Sequence, residues 1–339
     1  MTQPATGQGT PPVLSIPGLA PELRERVLEG MARVEALLSA RVAADDPFVA
    51  EASGHLLAAG GKRFRPLLTL LVAELGAGAT DEVVAAAAGV ELTHLASLYH
   101  DDVMDEADVR RGAPSANARY GNSTAILVGD LLFGTASDIV ADLGPQAVKL
   151  QARTFVRLCS GQIRDERPCP DGTDPVEYHL GVLADKTGVL IATAARYGAM
   201  FAGCPQDVVA MATEYGERLG MAFQLADDLI DIGSEGEESG KTPGTDLREG
   251  KRTLPVLHAL ASTDRADDRL KELLTGDLDD DARLAEALTL LRGHRAMDEA
   301  REQTRAVARR AVEVLEPLPA SEAKDALVAL ASGVVERVG

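Results

Sequence analysis

The residues best suited to do chemistry in this chain are two acidic pentapeptides of identical spacing, Asp101-Asp102-Val103-Met104-Asp105 and Asp227-Asp228-Leu229-Ile230-Asp231. Each follows a long run of apolar residues at helical spacing, so each is expected on a helix. There the first and last aspartates stand at i and i+4 and share one face. Carboxylates crowded on an apolar-flanked face repel one another unless a cation lies between them. Hard oxygen donors that leave room for water suit Mg²⁺, which takes one or two protein carboxylates and adds phosphate oxygens from a substrate. Two such clusters facing each other could hold a magnesium-bound diphosphate. A solvated acidic face is the plain alternative, and one copy could arise by chance in an Asp-rich chain. Two copies, each accompanied by basic motifs, argue against that.

The basic residues fall where a phosphate would need them. Gly60-Gly61-Lys62-Arg63-Phe64-Arg65-Pro66 places three cations within four residues at an expected helix start. Glycines there let backbone N–H groups approach an anion, and the helix end adds its own positive pole. Arg110 and Arg111 follow the first aspartates, Lys186-Thr187-Gly188 interrupts another apolar helix, and Lys241 and Lys251 lie in the loop after the second cluster. The chain has seven lysines, and four of them sit in these motifs, so a scatter of solvated charges explains the set poorly. Lysine offers phosphate a compact point charge, whereas arginine grips it bidentately.

These residues must be carried by helices. Aromatics are only 3% of the 339 residues and there is no Trp, while Ala and Leu abound, which favours packed helices over sheets. Apolar residues recur at helical spacing over 21–41, 45–58, 64–76, 80–106, 123–142, 145–163, 174–203 and 206–233. Shorter helices are expected at 253–262, 267–275, 279–292, 294–316 and 320–337. No alternating strand pair or hairpin stands out, so the fold class is all-α, a single large helical bundle over 18–339 after a disordered tail at 1–17. A net charge of −19 argues against a nucleic-acid partner. Cys159, Cys169 and Cys204 form no CxxC pair, which points to a reducing cytoplasm. No signal peptide is expected at the start, and apolar stretches such as Leu67 to Val72 and Ala85 to Val90 are too short to span a bilayer.

The segments GGKRFRP, HLASLYHDDVMDEADVRRGAP, DKTG, FQLADDLID and GKTPGTDLREGKRTLP occur in the order and spacing of the trans-type isoprenyl (polyprenyl) diphosphate synthases, and the chain resembles that family from about residue 50 to 256. The resemblance implies an isoprenoid-synthase bundle with a central active-site cavity. It implies head-to-tail joining of an allylic diphosphate to isopentenyl diphosphate, giving an all-trans polyprenyl diphosphate and pyrophosphate. Asp101 and Asp105, supported by Asp102, would hold two Mg²⁺ ions, and Asp227, assisted by Asp228 and Asp231, a third. Arg110, Lys186 and Lys241 would neutralise the leaving diphosphate, with Lys251 also contacting substrate. Lys62, Arg65, His94 and Arg111 would bind the diphosphate of isopentenyl diphosphate. Taken alone, His94 reads as a core histidine; it lies seven residues before Asp101 and hence on the same helix face. Thr187 and Gln224 would orient substrate, and Phe223 would either face the allylic cation or simply pack. No side chain is an obvious general base, so released pyrophosphate would accept the proton. A homodimer is implied, and peripheral membrane contact for product release is left open. A terpene cyclase would not need GGKRFRP or Arg111, and a non-catalytic subunit of a heteromeric synthase usually lacks one acidic cluster.

Product length has its own signature. Residues one to three turns before Asp101, namely Ser97, Ala96, Thr93, Val90, Gly89 and Ala86, are all small or medium-sized. The helix from Asp81 to Asp101 spans about 30 Å, enough for a product of roughly thirty to fifty carbons, with geranylgeranyl diphosphate as the alternative. Phe133 on a facing helix could close the path deeper down. The competing reading is that the small residues only permit tight helix packing.

Overall fold

The structure, a computed structural model, describes Ile16, 18–234 and 243–336. Of the expected tail only Ile16 is among them, and Lys241 lies outside the described residues. In chain order the helices are α1 (Pro21–Val42), α2 (Pro47–Ala58), α3 (Phe64–Ala73), α4 (Asp81–Met104), α5 (Ala116–Tyr120), α6 (Asn122–Ala141), α7 (Pro145–Asp165), α8 (Pro175–Leu183), α9 (Val189–Phe201), α10 (Gln206–Gly233), α11 (Thr245–Arg248), α12 (Leu254–Leu260), α13 (Asp268–Thr275), α14 (Asp281–Arg292), α15 (Arg295–Val314) and α16 (Glu322–Glu336). Several of their starts are set by side-chain caps. Asp46 accepts from the N–H groups of Phe48 and Val49 ahead of α2, Thr80 from Val83 ahead of α4, and Asp174 from Val176 and Glu177 ahead of α8. Pro47 and Pro175 occupy the first helical position, where a missing N–H costs nothing.

Two compact units divide these elements. The first comprises residues up to 155, 190–213 and 317–329. Its centre is α3, buried from Pro66 to Ala73, and α4, which runs against α3 and α6. The buried Tyr99 of α4 donates its hydroxyl to Ala52 O at 2.5 Å, tying α4 to α2, and Thr69 of α3 donates to Ala194 O of α9 at 3.1 Å. The helices α4 and α6 are antiparallel, since Gly89 faces Val140 while His100 Nε2 lies 3.1 Å from Ile126 O.

The short helices α5 and α11 and one hairpin were not anticipated. Two short strands, β1 (Val109–Arg110) and β2 (Ala113–Pro114), pair antiparallel around Arg111 and Gly112. Both turn residues have positive φ, 55° and 75°, as a two-residue hairpin of this hand requires. Arginine gives no hint of that conformation, and a two-residue ladder has no alternation to detect.

The second unit comprises 156–189, 214–316 and 330–339. Its spine is α10, whose buried Tyr215, Leu219, Ala222, Leu225, Leu229 and Ile232 recur at helical spacing. Between α8 and α9 the residues Ala184–Gly188 form a π-helical turn, the interruption expected at Lys186-Thr187-Gly188.

One described helix, α6, is long and apolar enough to cross a bilayer by length and composition. The sequence reading passed over it because Asp130, Asp138 and several Gly, Ser and Thr residues break its apolar run. It packs along α4 and leaves Ile126, Leu127 and Leu131 exposed.

Candidate active site

The first acidic cluster ends α4, and its aspartates are unequal. Asp101 is half-buried and Asp105, the C-terminal cap, is exposed, so the pair at i and i+4 presents one accessible face. Asp102 is fully buried. Its Oδ1 takes the Arg110 Nε–H at 2.5 Å and its Oδ2 takes the Ala116 N–H at 3.2 Å. Arg110 Nη2 also lies 3.8 Å from Asp105, so one guanidinium spans the cluster. Asp102 therefore holds the hairpin and Arg110 against the end of α4. Glu106, directly after the cluster, has a φ of 48°, a left-handed conformation that turns the chain sharply.

The basic residues gather in the same unit. Lys62 is exposed, whereas Arg63 is turned inward. Its Nε donates to Glu35 at 2.6 Å, Nη1 to Gly60 O and Nη2 to Leu57 O, both at 2.9 Å. Arg63 carries a φ of 46° at the start of α3, so the glycine turn is clamped by its own arginine. Arg111 reaches back across this turn and donates through Nη1 to Leu56 O and Gly60 O. Gly61 must be glycine: its φ is 132°, and a Cβ there would lie 2.7 Å from the Arg111 guanidinium carbon. Burial lowers the Arg65 guanidinium to about 10, with Glu91 opposing and Arg111 adding to the shift; it stays a cation at neutral pH. His94 is pushed well below the ordinary imidazole range by burial and then by Arg65, Arg111, Arg63 and Arg110, so the ring is neutral. Arg65, Arg111, Arg63 and Arg110 thus all act on the His94 ring.

In the second unit the other acidic cluster repeats the division of labour. Asp227 and Asp231 are half-buried on one face of α10, while Asp228 between them is buried. Asp228 Oδ1 takes the Gln224 amide N–H at 2.9 Å, and Gln224 Oε1 lies 3.4 Å from the Thr187 hydroxyl. Burial pushes Asp228 up to about 7, against the Gln224 hydrogen bond, with Asp246 and Asp227 adding to the rise and Lys251 opposing it. Asp231 Oδ2 accepts the Asp246 N–H at 3.2 Å, which fastens α11 beside the cluster, and Lys251 Nζ lies 3.5 Å from Asp246. Lys186, on the π turn, is held 2.6 Å from Asp165. Phe223 is half-buried on α10. The sequence reading did not single out Asp165 or Glu91, and took Arg63 only as one of the cations of the glycine turn. Glu91 did leave a trace, as a single acid inside the apolar run of α4.

The donor set suits Mg²⁺. Among the described residues no three His, Cys, Asp or Glu side chains close into a protein-only cage. Each cluster instead offers two accessible carboxylates at i and i+4, leaving most of a hard cation's shell to water and phosphate.

Along α4 the expected chain-length wall divides in two. Ser97 is half-buried, with its hydroxyl donating to His94 O at 2.8 Å. Ala96 and Thr93 are buried, and Thr93 donates to Gly89 O at 2.8 Å. Gly89 serves packing, since a Cβ there would lie 2.9 Å from Val140 of α6. Phe133, on the facing helix α6, is half-buried. Its ring packs on His100, one residue before Asp101, at 5.6 Å and on Phe155 at 4.5 Å.

An all-helical framework with two acidic helix faces and a cluster of arginines around a glycine turn is that of a diphosphate-handling enzyme of the isoprenoid synthase class. The polyprenyl synthetase family profile matches residues 46–291, and the chain belongs to that family. Nonaprenyl diphosphate synthase of Mycobacterium tuberculosis is 48% identical over 314 residues, covering 92% of this chain and 94% of that protein. A crystal structure of geranylgeranyl pyrophosphate synthase from Corynebacterium glutamicum, complexed with calcium and isoprenyl diphosphate, matches with a TM-score of 0.86 at 44% identity, covering 94% of this chain and 98% of that one. A decaprenyl diphosphate synthase from Rhodobacter capsulatus matches at 0.85 and 35% identity, covering 94% and 99%.

Proposed function

We propose that this enzyme extends an allylic diphosphate by repeated head-to-tail addition of isopentenyl units, giving an all-trans polyprenyl diphosphate of roughly thirty to fifty carbons, with geranylgeranyl diphosphate as the shorter alternative. The observation that carries it is the pairing of two like-built acidic clusters with a separate arginine-rich turn, Gly60 to Arg65, pinned by Arg111. A cyclase has one diphosphate to bind and no use for that second cationic site.

In this reading residues 18–339 act as one prenyltransferase domain. Lys62, Arg65, His94 and Arg111 bind the diphosphate of isopentenyl diphosphate and hold its double bond toward the allylic carbon. The neutral His94 donates a hydrogen bond there without adding charge. Asp101 and Asp105 would hold two Mg²⁺ ions and Asp227, assisted by Asp228 and Asp231, a third; bound there, they would supply positive charge to the allylic diphosphate. Arg110, Lys186, Lys241 and Lys251 neutralise the charge that develops as the allylic C–O bond breaks and pyrophosphate leaves. The double bond of isopentenyl diphosphate then attacks the allylic carbon, and the proton lost on forming the new double bond passes to pyrophosphate. Thr187 and Gln224 orient the allylic chain through neutral dipoles, while Phe223 offers a ring face or packing.

Two further features complete the reading. A homodimer is supported by α6, which exposes Ile126, Leu127 and Leu131 at 42%, 67% and 44%. Cys159, Cys169 and Cys204 are free thiols, in keeping with the cytoplasm. The test is pyrophosphate release by the purified chain, dependent on isopentenyl diphosphate and Mg²⁺ and lost by about a hundredfold or more in Asp101→Ala and Asp227→Ala. Near-normal turnover by either folded variant would remove the metal assignment.

A further inference from the structure

Glu91 lies on α4, three residues before His94, and no step above uses it. It is 1% exposed. Its Oε1 is 3.5 Å from Arg63 Nη1, and its Oε2 is buried without a hydrogen-bond partner. Arg65 Nε is buried and unpartnered in the same way. Glu91 is the strongest favourable charge acting on both Arg65 and Arg111, while Arg65 and Arg111 repel each other. Burial raises the Glu91 carboxyl above its ordinary range, against the pull of Arg65, Arg63 and Arg111. A buried acid with an unsatisfied oxygen is costly, and an apolar side chain would pack this position at less expense. What an apolar residue would not supply is an anion among converging guanidinium groups. Bound diphosphate would supply one; within the protein Glu91 is the acid that acts on both Arg65 and Arg111. Of the other acids nearby, Glu35 is engaged by Arg63 at 2.6 Å and Asp102 by Arg110 at 2.5 Å.

We propose that Glu91 is a positioning residue of the isopentenyl diphosphate site, a built-in counter-anion that keeps Arg65 and Arg111 convergent until the substrate's diphosphate replaces it. The proposal rests on the assignment of Lys62, Arg65, His94 and Arg111 to that site. Without the Glu91 charge the two guanidinium groups separate in the empty enzyme and must be reassembled by substrate, so affinity falls. Once diphosphate is bound its own charge holds them, so turnover at saturation is preserved.

The test compares Glu91→Gln, Glu91→Asp, Lys62→Ala and Arg111→Ala by steady-state kinetics with each substrate varied. Glu91→Gln keeps size and removes charge, and should raise KM for isopentenyl diphosphate about tenfold, leaving kcat and the allylic KM within about twofold. Glu91→Asp keeps the charge and should lie within about threefold of wild type. If Glu91 merely fills space the order reverses, with Gln near wild type and Asp impaired, and the proposal is overturned. Should Glu91→Gln not fold, Glu91→Asp decides alone: a KM within about threefold supports the charge role, and a rise of about tenfold overturns it. If Lys62→Ala and Arg111→Ala leave the isopentenyl KM unchanged, the site assignment fails and the proposal falls with it. If they raise it and Glu91→Gln does not, only the proposal fails.

Discussion

Asp102→Asn separates the structural aspartate of the first cluster from its metal-facing neighbours. The substitution keeps shape and removes the charge from a fully buried side chain whose two oxygens hold Arg110 at 2.5 Å and the Ala116 N–H at 3.2 Å. Removing one partner of a buried ion pair costs about 3–5 kcal/mol, because the other charge stays buried and uncompensated. Arg110 retains 28% exposure, so water recovers part of that loss and about 2–4 kcal/mol is expected. Asp101→Asn, on the half-buried face of the same turn, should cost less than about 1 kcal/mol in stability while slowing turnover by about a hundredfold. Urea denaturation followed by far-ultraviolet circular dichroism on wild type and both variants measures the stability arm. The reasoning is refuted if Asp102→Asn unfolds at the wild-type midpoint, or if both variants lose stability equally.

Three other outcomes follow from the same geometry. Ser97→Phe places a ring about 6 Å along the helix from Asp101, one-fifth of the roughly 30 Å path to Asp81, and should shorten the product sharply while preserving the first condensation. An unchanged product distribution by mass spectrometry would show that the chain runs elsewhere. The folded protein holds His94 neutral and the unfolded chain protonates it below about pH 6.5, so stability is lost as pH falls through that value, by at most about 1.4 kcal/mol per pH unit. His94→Gln should flatten that acid limb in melting curves between pH 7.5 and 5.5, and an unaltered limb would assign the loss to other groups. Leu127→Glu, on the exposed face of α6, should yield monomer in analytical ultracentrifugation, and a retained dimer would place the interface on another face.

The helices were legible because apolar spacing and caps such as Asp46, Thr80 and Asp174 agree with each other along the chain. The pairing of Asp101 with Asp105 and of Asp227 with Asp231 followed from the helical period alone. What the period does not carry is which polar residue turns inward. Asp102 and Arg63 look like their neighbours in sequence, and only their partners, Arg110 and Glu35, mark them as internal struts. Arg63, Glu106 and Arg111 adopt left-handed backbone that their residue types disfavour, so the tight turns flanking the site left no local signal. Phe133 was assigned depth from its position on a facing helix. The antiparallel register of α4 and α6, set by Gly89 against Val140, brings its ring onto His100, a contact the helical period does not show.

The most direct test incubates the purified chain with Mg²⁺, labelled isopentenyl diphosphate and a panel of allylic diphosphates, and measures both pyrophosphate and product mass. The account predicts one pyrophosphate per isopentenyl unit incorporated and an all-trans polyprenyl diphosphate that grows in five-carbon steps. Pyrophosphate released from the allylic substrate alone, with no isopentenyl label in the product, would contradict it.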